Sequence, residues 1–424
     1  MRMKTQRILA ALLCLVLLLA LAPAGWADGE GGSGLEGGST GGNTTQPAAG
    51  VVLDNNNTVT ISLVPTDKKD TDFETEIKKA KVEADLYFIA SAVADPMYDT
   101  YSYSYTGSSF ATLKSSIDTA LVADPDNQND RNTMLKKFSP IAQDAAELVQ
   151  KQSIDPIKVQ AAGELTEISV RGLDAGMYLL ILRGSDLNKD TSDSGYFATT
   201  TKKGSNAYND FEENTDGSKD VQITVTRAVS ANYEFLFEPQ LITLPTKMDG
   251  NDQSYNTAYG VWSKDLSITA KPEMKPRYGK LKIIKTLDNY IDLSKNQIKE
   301  PALFVFEITA VKPSETEGGE DTVVFQDDRG IEFTATGEES IVVDHIPAGS
   351  IVTVKEVYSG ASYTAVPPLA VTGITITAEQ DLDKIAKAEF ENYFNGRNGG
   401  HGIINEIGYN GTNWSSPQEG ATTK

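Results

Sequence analysis

Lys285, Glu356 and Asn392 lie far apart in the chain, yet together they carry the groups needed to form one amide cross-link. A neutral lysine amine is a nucleophile, a carboxamide offers an acyl carbon, and a carboxyl group can move protons between them. We expect Glu356 to donate a hydrogen bond to the Asn392 carbonyl and to shuttle protons while Lys285 displaces ammonia. The product of that reaction is an isopeptide bond.

Strand periodicity points each of these three side chains toward a core. In residues 281–285, LKIIK, the alternation of a strand places the lysine on the same face as two aliphatic side chains. In residues 352–356, VTVKE, the glutamate shares a face with two valines. In residues 386–394, AKAEFENYF, the asparagine shares a face with alanine and phenylalanine side chains. An amine, a carboxyl and a carboxamide are thus expected inside one core.

Burial limits what such groups can do. An isolated buried charge costs several kcal/mol, so buried ionisable groups pair, become neutral or react. Burial also favours the neutral amine of a lysine, which is its nucleophilic form. By spacing alone, a structural Lys285–Glu356 ion pair beside a hydrogen-bonded Asn392 is the favoured alternative to a cross-link.

The segment from about residue 280 to residue 394 resembles the isopeptide-forming Cna-B-like domains of Gram-positive pilins and surface adhesins. The stretches that carry the resemblance are GKLKIIKTLD, LFVFEIT, ESIVVDHIPAGSIVTVKEV and AEFENYF. In those domains a reactive lysine ends the first strand, an acid ends the strand after an lPaG turn, and an asparagine follows F-x in the last strand. Lys285, Glu356 and Asn392 match these positions one by one. The resemblance therefore implies a Lys285–Asn392 isopeptide bond with Glu356 as proton shuttle, although Val352 replaces a usual aromatic residue.

The N-terminal segment and the composition together predict that the protein acts outside the cytoplasm. The chain has 424 residues, one cysteine and a formal net charge of −21. Residues 1–27 combine a basic start, a long Leu/Ala run and a small-x-small site, which predicts a cleaved signal peptide and a secreted or cell-surface protein. Cys14 lies inside this run, so the mature chain has no cysteine with which to form a disulfide. The acidic composition disfavours nucleic acid as a partner.

The remaining sequence divides into four parts. Residues 28–50 are rich in Gly, Ser and Thr, which predicts a flexible leader. Residues 51–276 and 277–396 are rich in strand-like runs, which predict an all-β protein of tandem Ig-like or Cna-B-like β-sandwiches. Residues 397–424 form a Gly/Asn-rich tail without an LPxTG signal, so we do not expect anchoring by the ordinary sortase route.

The first of the two domains contains one segment whose apolar residues do not follow the spacing of a strand. Between Asn132 and Gln150 the apolar residues follow helical spacing, which predicts one amphipathic helix inserted in the N-terminal domain. This domain is similar to the N-terminal domain of pilin subunits, with a looser match than the second domain. Leu182 stands where the resemblance would place a cross-linking acid, and the opening strand NTVTISLV has no lysine. We therefore expect no isopeptide bond in this domain.

Lys271 is the candidate for attachment to another subunit. Residues 262–271, WSKDLSITAK, have the spacing of the pilin motif W-x3-V-x-V-Y-P-K, whose lysine a pilin-type sortase joins to the next subunit. The resemblance implies a sortase acceptor role for Lys271, with other pilin subunits as partners. Thr269 and Ala270 replace the usual Tyr and Pro. An exposed interdomain lysine is the slightly favoured alternative.

The sequence offers little material for a metal, a cofactor or an enzyme that turns over. Its only histidines are His345 and His401, so neither a zinc site nor a Ser-His catalytic arrangement is predicted. Residues 186–190, DLNKD, begin like a calcium loop, but no glycine stands at the sixth place. We expect no metal, no cofactor and no catalysis beyond a single intramolecular cross-linking event.

The sequence thus predicts an exported structural subunit, a pilin-like or adhesin stalk stabilised by an autocatalytic isopeptide bond. A cross-link between the first and last strands of a domain ties together the points through which a pulling force enters. The alternative is a ligand-binding adhesin that recognises a host protein or glycan through its first domain. A shallow, aromatic-lined groove on that domain would favour this alternative.

Overall fold

The structure of the protein is a computed structural model. The residues that it describes are 51–69, 71–96, 99–122, 131–162, 166–192, 194–202, 221–248, 261–290, 301–314, 318–360, 362–396, 408–409 and 414–415. The predicted signal peptide and leader lie outside these residues, as does most of the predicted tail. The chain divides into two compact units, Met1–Pro276 and Arg277–Lys424, named unit 1 and unit 2 below.

Unit 1 is built mainly of strands. The strands described in it are β1 (Asn57–Ser62), β2 (Val82–Ala94), β3 (Tyr101–Ser104), β4 (Lys158–Ala161), β5 (Glu167–Leu173), β6 (Gly176–Gly184), β7 (Phe197–Lys202), β8 (Val221–Val229), β9 (Tyr233–Phe237), β10 (Gln240–Leu244), β11 (Thr246–Met248), β12 (Val261–Ser263), β13 (Asp265–Thr269) and β14 (Glu273–Pro276). Its sheets have the strand orders β13-β1-β5, β10-β6-β2-β3 with β4 also paired to β2, and β14-β9-β8-β7, and β11 pairs with β12.

Strand β6 is buried on both faces, which explains why its sequence GMYLLILRG does not alternate. On one face, Leu180 and Leu182 join the core that contains β1 and β5. On the other face, Leu179 and Ile181 join a second core. A strand covered on both sides is expected to be a continuous apolar run.

Helices cover part of this sheet. The helices described in unit 1 are α1 (Asp72–Lys79), α2 (Lys114–Leu121) and α3 (Arg131–Gln152), with 3-10 turns at Thr66–Lys68 and Ala111–Leu113. The predicted amphipathic helix is α3, and its Ile141, Ala145 and Val149 pack in the second core. The sequence did not reveal α1 and α2, because eight residues hold only about two turns of any helical pattern. None of the helices in the described ranges is long and apolar enough to cross a membrane.

Unit 2 is a β-sandwich. The strands described in it are β15 (Tyr278–Leu287), β16 (Ala302–Lys312), β17 (Thr322–Phe333), β18 (Gly337–Pro347), β19 (Ile351–Tyr358), β20 (Tyr363–Val366), β21 (Ala370–Thr375), β22 (Ala386–Phe394), β23 (Gly408–Tyr409) and β24 (Trp414–Ser415). Two four-stranded sheets, β18-β15-β22-β20 and β17-β16-β19-β21, contribute to one core. Burial alternates along β15, β16 and β22, as expected for strands with one face inside a sandwich. The predicted all-β class is confirmed.

Candidate functional site

Lys285 and Asn392 lie on adjacent strands of one sheet in unit 2. Strands β15 and β22 run parallel, with Lys285 opposite Phe390 and Leu287 opposite Asn392. Because alternate residues of a strand share a face, the side chains of Lys285 and Asn392 both point into the sandwich. The first and last long strands of the unit are thus neighbours, although most of its sequence separates them.

Glu356 comes from the opposite sheet. It lies on β19, where it pairs with Phe306 of β16 next to a register shift between Val305 and Phe306. Its backbone N–H donates a 2.9 Å hydrogen bond to the carbonyl of Leu369, which fixes the strand at this point. From there its side chain faces the sheet that carries Lys285.

The three side chains meet in one hydrogen-bonded cluster. Lys285 Nζ donates to Glu356 Oε2 at 3.0 Å and to Asn392 Oδ1 at 2.5 Å. Asn392 Nδ2 donates to Glu356 Oε1 at 2.6 Å and lies 3.4 Å from the carbonyl oxygen of Ser359. Each of the three side chains therefore contacts the other two.

The hydrogen bond between Glu356 and Asn392 differs from the expected one in a single respect. We expected Glu356 to donate a hydrogen bond to the Asn392 carbonyl, whereas its Oε1 accepts one from the Asn392 amide nitrogen. The carbonyl oxygen of Asn392 instead accepts from Lys285. The carboxyl of Glu356 thus bridges the amine nitrogen on one side and the amide nitrogen on the other.

The cluster is shielded from water. The Lys285 side chain is 0% exposed and that of Glu356 is 2% exposed. Three aromatic rings surround the amine, with Nζ 5.0 Å from the centroid of Phe304, 5.8 Å from Phe306 and 6.0 Å from Phe390. Burial lowers the pKa of Lys285 from its usual value, while the contact with Glu356 opposes that shift. The environment therefore favours the neutral amine more than water does.

The other residues singled out from the sequence lie in unit 1. Lys271 follows the end of β13 and is partly buried. Leu182 is a core residue of β6. Across the described residues, no group of three or more His, Cys, Asp or Glu side chains could hold a metal ion.

Sequence reasoning missed a buried charged cluster in unit 1. Arg183 of β6 donates from Nε to Asp85 Oδ2 at 2.7 Å and from Nη2 to Asp85 Oδ1 at 3.0 Å. Its Nη1 lies 3.0 Å from Glu83 Oε2, and its guanidinium lies over the ring of Tyr196. The available signal was a charged residue inside each apolar run, an acid in β2 and an arginine in β6, but the register of the two strands decides whether these charges are paired. Glu83 and Arg183 are directly opposite in the β2–β6 register.

Comparison with known proteins gives matches among solved structures alone. No family model matches the sequence, and no curated protein matches it. The GBS52 minor pilin of Streptococcus agalactiae is 14% identical, with a TM-score of 0.18, over 80% of this chain and 96% of that one. The full-length major pilin SpaD of Corynebacterium diphtheriae is 10% identical, with a TM-score of 0.18, over 81% of this chain and 98% of that one. An adhesin from Mobiluncus mulieris, described as containing disulfide, isopeptide and ester cross-links, is 16% identical, with a TM-score of 0.18, over 42% of this chain and 65% of that one.

Gram-positive pilins and adhesins are thus among the solved structures similar to this chain. The resemblance predicted from the sequence is confirmed at that level. With identities and TM-scores this low, the similarity carries no conclusion about chemistry, ligand or assembly. The buried cluster of unit 2 is the basis for the chemistry proposed below.

Proposed function

We propose that this chain is an exported, pilin-like or adhesin-type structural subunit whose unit 2 is closed by an autocatalytic isopeptide bond between Lys285 and Asn392. The observation that supports this most directly is the mutual contact of an amine, a carboxyl and a carboxamide in a buried core. A structural ion pair needs only Lys285 and Glu356. The amide of Asn392, held by both partners, is the additional group that a cross-link requires.

The proposed reaction is a balanced amide exchange. The lone pair of Lys285 Nζ attacks Asn392 Cγ, so that a C–N bond forms while the bond from Cγ to Nδ2 breaks. Glu356 takes a proton from Nζ through Oε2 and returns a proton to Nδ2 through Oε1, and ammonia leaves. The contacts of 3.0 Å and 2.6 Å made by the two carboxyl oxygens support this path.

The surroundings lower the barrier in two ways. The folded strands hold nucleophile and acyl group together, which replaces a bimolecular encounter by an intramolecular one. The three phenylalanine rings exclude water, which would otherwise solvate the charged amine and compete as a nucleophile. The reaction should therefore proceed once unit 2 has folded, without a partner protein or a cofactor.

The position of the bond suits a protein under tension. It would join β15 and β22, the first and last long strands described in unit 2, which lie side by side and run parallel. A force applied through these two strands would meet a covalent tie before it reached the hydrogen bonds of the sheet. A stalk subunit benefits from such a tie, and an enzyme with turnover has no evident use for it.

Mass spectrometry of the purified chain tests the proposal. Unit 2 should be lighter than its calculated mass by one ammonia, and a peptide containing Lys285 should be joined to one containing Asn392. Glu356→Ala should restore the calculated mass, because no group would then carry the protons. Peptides of unit 1 should have their calculated masses, since Leu182 replaces the required acid. A folded wild-type chain whose unit 2 has its full calculated mass would leave only the buried ion pair.

A further inference from the structure

The chain segment that follows β19 brings a backbone carbonyl into contact with the buried cluster of unit 2. Strand β19 carries Glu356 and lies in one sheet, whereas the next strand, β20, lies in the other sheet and pairs with the part of β22 that contains Asn392. The chain that leaves β19 at Ser359 and Gly360 therefore crosses between the sheets beside the cluster. At this crossing the carbonyl oxygen of Ser359 lies 3.4 Å from Asn392 Nδ2.

This carbonyl helps to fix which way the Asn392 amide faces. A carboxamide nitrogen carries two N–H donors. Asn392 Nδ2 has two acceptors within reach, Glu356 Oε1 at 2.6 Å and the Ser359 carbonyl oxygen at 3.4 Å. On the other side of the amide, Oδ1 accepts from Lys285. The nitrogen that must leave in the proposed reaction is thus turned toward two acceptors.

Gly360 allows the chain to present this carbonyl. Its φ is 75°, in the left-handed region that glycine adopts without strain. A Cβ at this position would lie 2.9 Å from the ring of Tyr363 and 3.7 Å from that of Phe304. The Phe304 ring covers the Lys285 amine and packs edge-on against Tyr363, with 5.5 Å between the ring centroids. A side chain at position 360 would therefore displace rings that hold the cluster together.

From these contacts we infer that the Ser359 carbonyl is a catalytic acceptor for the leaving nitrogen, and that Gly360 is the residue that positions it. This role rests on the proposed Lys285–Asn392 bond. When Lys285 Nζ attacks Asn392 Cγ, the conjugation between Cγ and Nδ2 is lost. Once Glu356 has moved a proton from Nζ to Nδ2, the leaving nitrogen has three N–H bonds and a positive charge. The carbonyl accepts one of these N–H bonds until the bond to Cγ breaks and ammonia departs.

The length of the contact fits an interaction that strengthens during the reaction. At 3.4 Å it is longer than an ordinary N–H···O hydrogen bond of about 2.9 Å, so it stabilises the resting amide little. Charged N–H donors form shorter hydrogen bonds that are about twice as strong as neutral ones. A contact that improves as charge develops on Asn392 Nδ2 lowers the barrier more than it stabilises the starting state.

Cell-free synthesis of the full chain tests this role. Samples are denatured at intervals, and mass spectrometry gives the fraction in which the Lys285 peptide is joined to the Asn392 peptide, and hence a first-order rate constant. Glycolic acid in place of Gly360 converts the peptide bond after Ser359 into an ester, whose carbonyl is a weaker acceptor. The rate should fall about tenfold. Glycolic acid in place of Gly373, on β21, is the control and should leave the rate unchanged.

A pair of alanine variants tests the positioning role of Gly360. Gly360→Ala places a Cβ against the ring of Tyr363 and should slow cross-linking at least tenfold, on the scale of losing one stabilising contact at a reacting centre. Gly373→Ala is the matched control, because Gly373 has the same φ of 75° but open space where the Cβ would stand. It introduces similar backbone strain away from the cluster and should cross-link at the wild-type rate.

Two readouts separate a role in the reaction from a role in folding. The ester at position 360 should lower the rate by the same factor at every pH, because a backbone carbonyl does not titrate. In the unreactive Glu356→Gln chain the same ester should leave the urea unfolding midpoint unchanged.

The outcomes distinguish this role from the proposed function. Cross-linking of the ester chain at the wild-type rate would overturn the role of Ser359 while leaving the Lys285–Asn392 bond in place. A clear drop in the unfolding midpoint of the Glu356→Gln chain that carries the ester would also overturn it, because slow folding would then explain the slow reaction. A folded wild-type chain that forms no bond would remove the proposed function, and the role of Ser359 with it.

Discussion

Lys285 pairs in register with Phe390, whereas its amine contacts Asn392, two residues further along the same strand. The offset corresponds to about 7 Å along a parallel strand. The long lysine stem spans this distance, so the amine reaches the carboxamide without bringing the backbones of β15 and β22 closer than a normal sheet allows. The ring of Phe390 lies against the amine on the way.

The stability of unit 2 should depend on the cross-link. A bond between residues 107 positions apart keeps the unfolded chain looped, and loop-closure relations give about 4 to 5 kcal/mol for a loop of about a hundred residues. Glu356→Gln keeps the shape of the side chain but cannot shuttle protons, so the variant should remain open. It should unfold at a lower urea concentration by circular dichroism and be cut faster by trypsin.

Glu389→Gln is the matched control for this experiment, because Glu389 lies on the exposed face of β22. It should keep the wild-type mass and unfolding midpoint. Equal midpoints for the Glu356→Gln variant and the wild type would contradict a stabilising cross-link.

Stability of the open form should rise with pH. In Asn392→Ala no bond can form, and burial still lowers the folded-state pKa of Lys285 below 10.5. A lysine with the lower pKa in the folded state binds fewer protons there than in the unfolded state. The free energy of unfolding therefore increases as pH rises from the lowered pKa toward 10.5, and the penalty is complete below that window. Urea titrations at several pH values measure this increase.

The triple variant Asn392→Ala/Lys285→Met/Glu356→Gln supplies the reference for this pH dependence. It lacks the titrating amine, and it also lacks the carboxyl that would otherwise be left buried without a partner. The free energy of unfolding of the single variant Asn392→Ala should rise relative to that of the triple variant as pH rises. A difference between the two free energies that stays constant across the window would refute the lowered pKa.

Unit 1 should depend on a buried ion pair in place of a covalent bond. Arg183→Met leaves Asp85, whose side chain is 2% exposed, without its bidentate partner. We expect a loss of about 3 to 5 kcal/mol in the free energy of unfolding, since an uncompensated buried charge remains. Lys81→Met is the comparison, because it breaks a pair with Asp186 in which both side chains are largely exposed, and it should change stability little. Similar decreases in the free energy of unfolding of the two variants would show that the Arg183 cluster stabilises unit 1 no more than an exposed ion pair does.

Lys271 is the proposed attachment point for another subunit. Coexpression with a pilin-type sortase and a donor subunit should give covalent ladders, and Lys271→Arg should abolish them because a guanidinium is not an acyl acceptor under these conditions. Lys264→Arg is the control, since Lys264 lies seven positions earlier in the same segment and is paired with Asp54. Ladders that persist in Lys271→Arg would remove Lys271 from the acceptor role.

Several features of this protein followed from local pattern alone. Alternation along LKIIK, VTVKE and AKAEFENYF was sufficient to predict that Lys285, Glu356 and Asn392 face a core, and all three are buried. Helical spacing over a long segment was sufficient to predict α3. Both patterns are local, because a strand repeats every two residues and a helix every 3.6 residues whatever surrounds them.

Only the tertiary structure decided how these elements meet. The two-residue repeat of a strand predicts which face of β22 carries Asn392. The register that places Asn392 two residues beyond the position opposite Lys285 depends on the packing of the whole core. The orientation of the Asn392 amide toward Glu356 likewise depends on two sheets that meet across that core. Strand β2 pairs with β4 at residues 83–86 and with β3 at residues 91–94 of the same edge, and no local pattern encodes this division. Contacts between distant segments are fixed by the sum of many packing interactions. A short stretch of sequence therefore predicts which side chains face the core, whereas only the folded chain determines which of them contact each other.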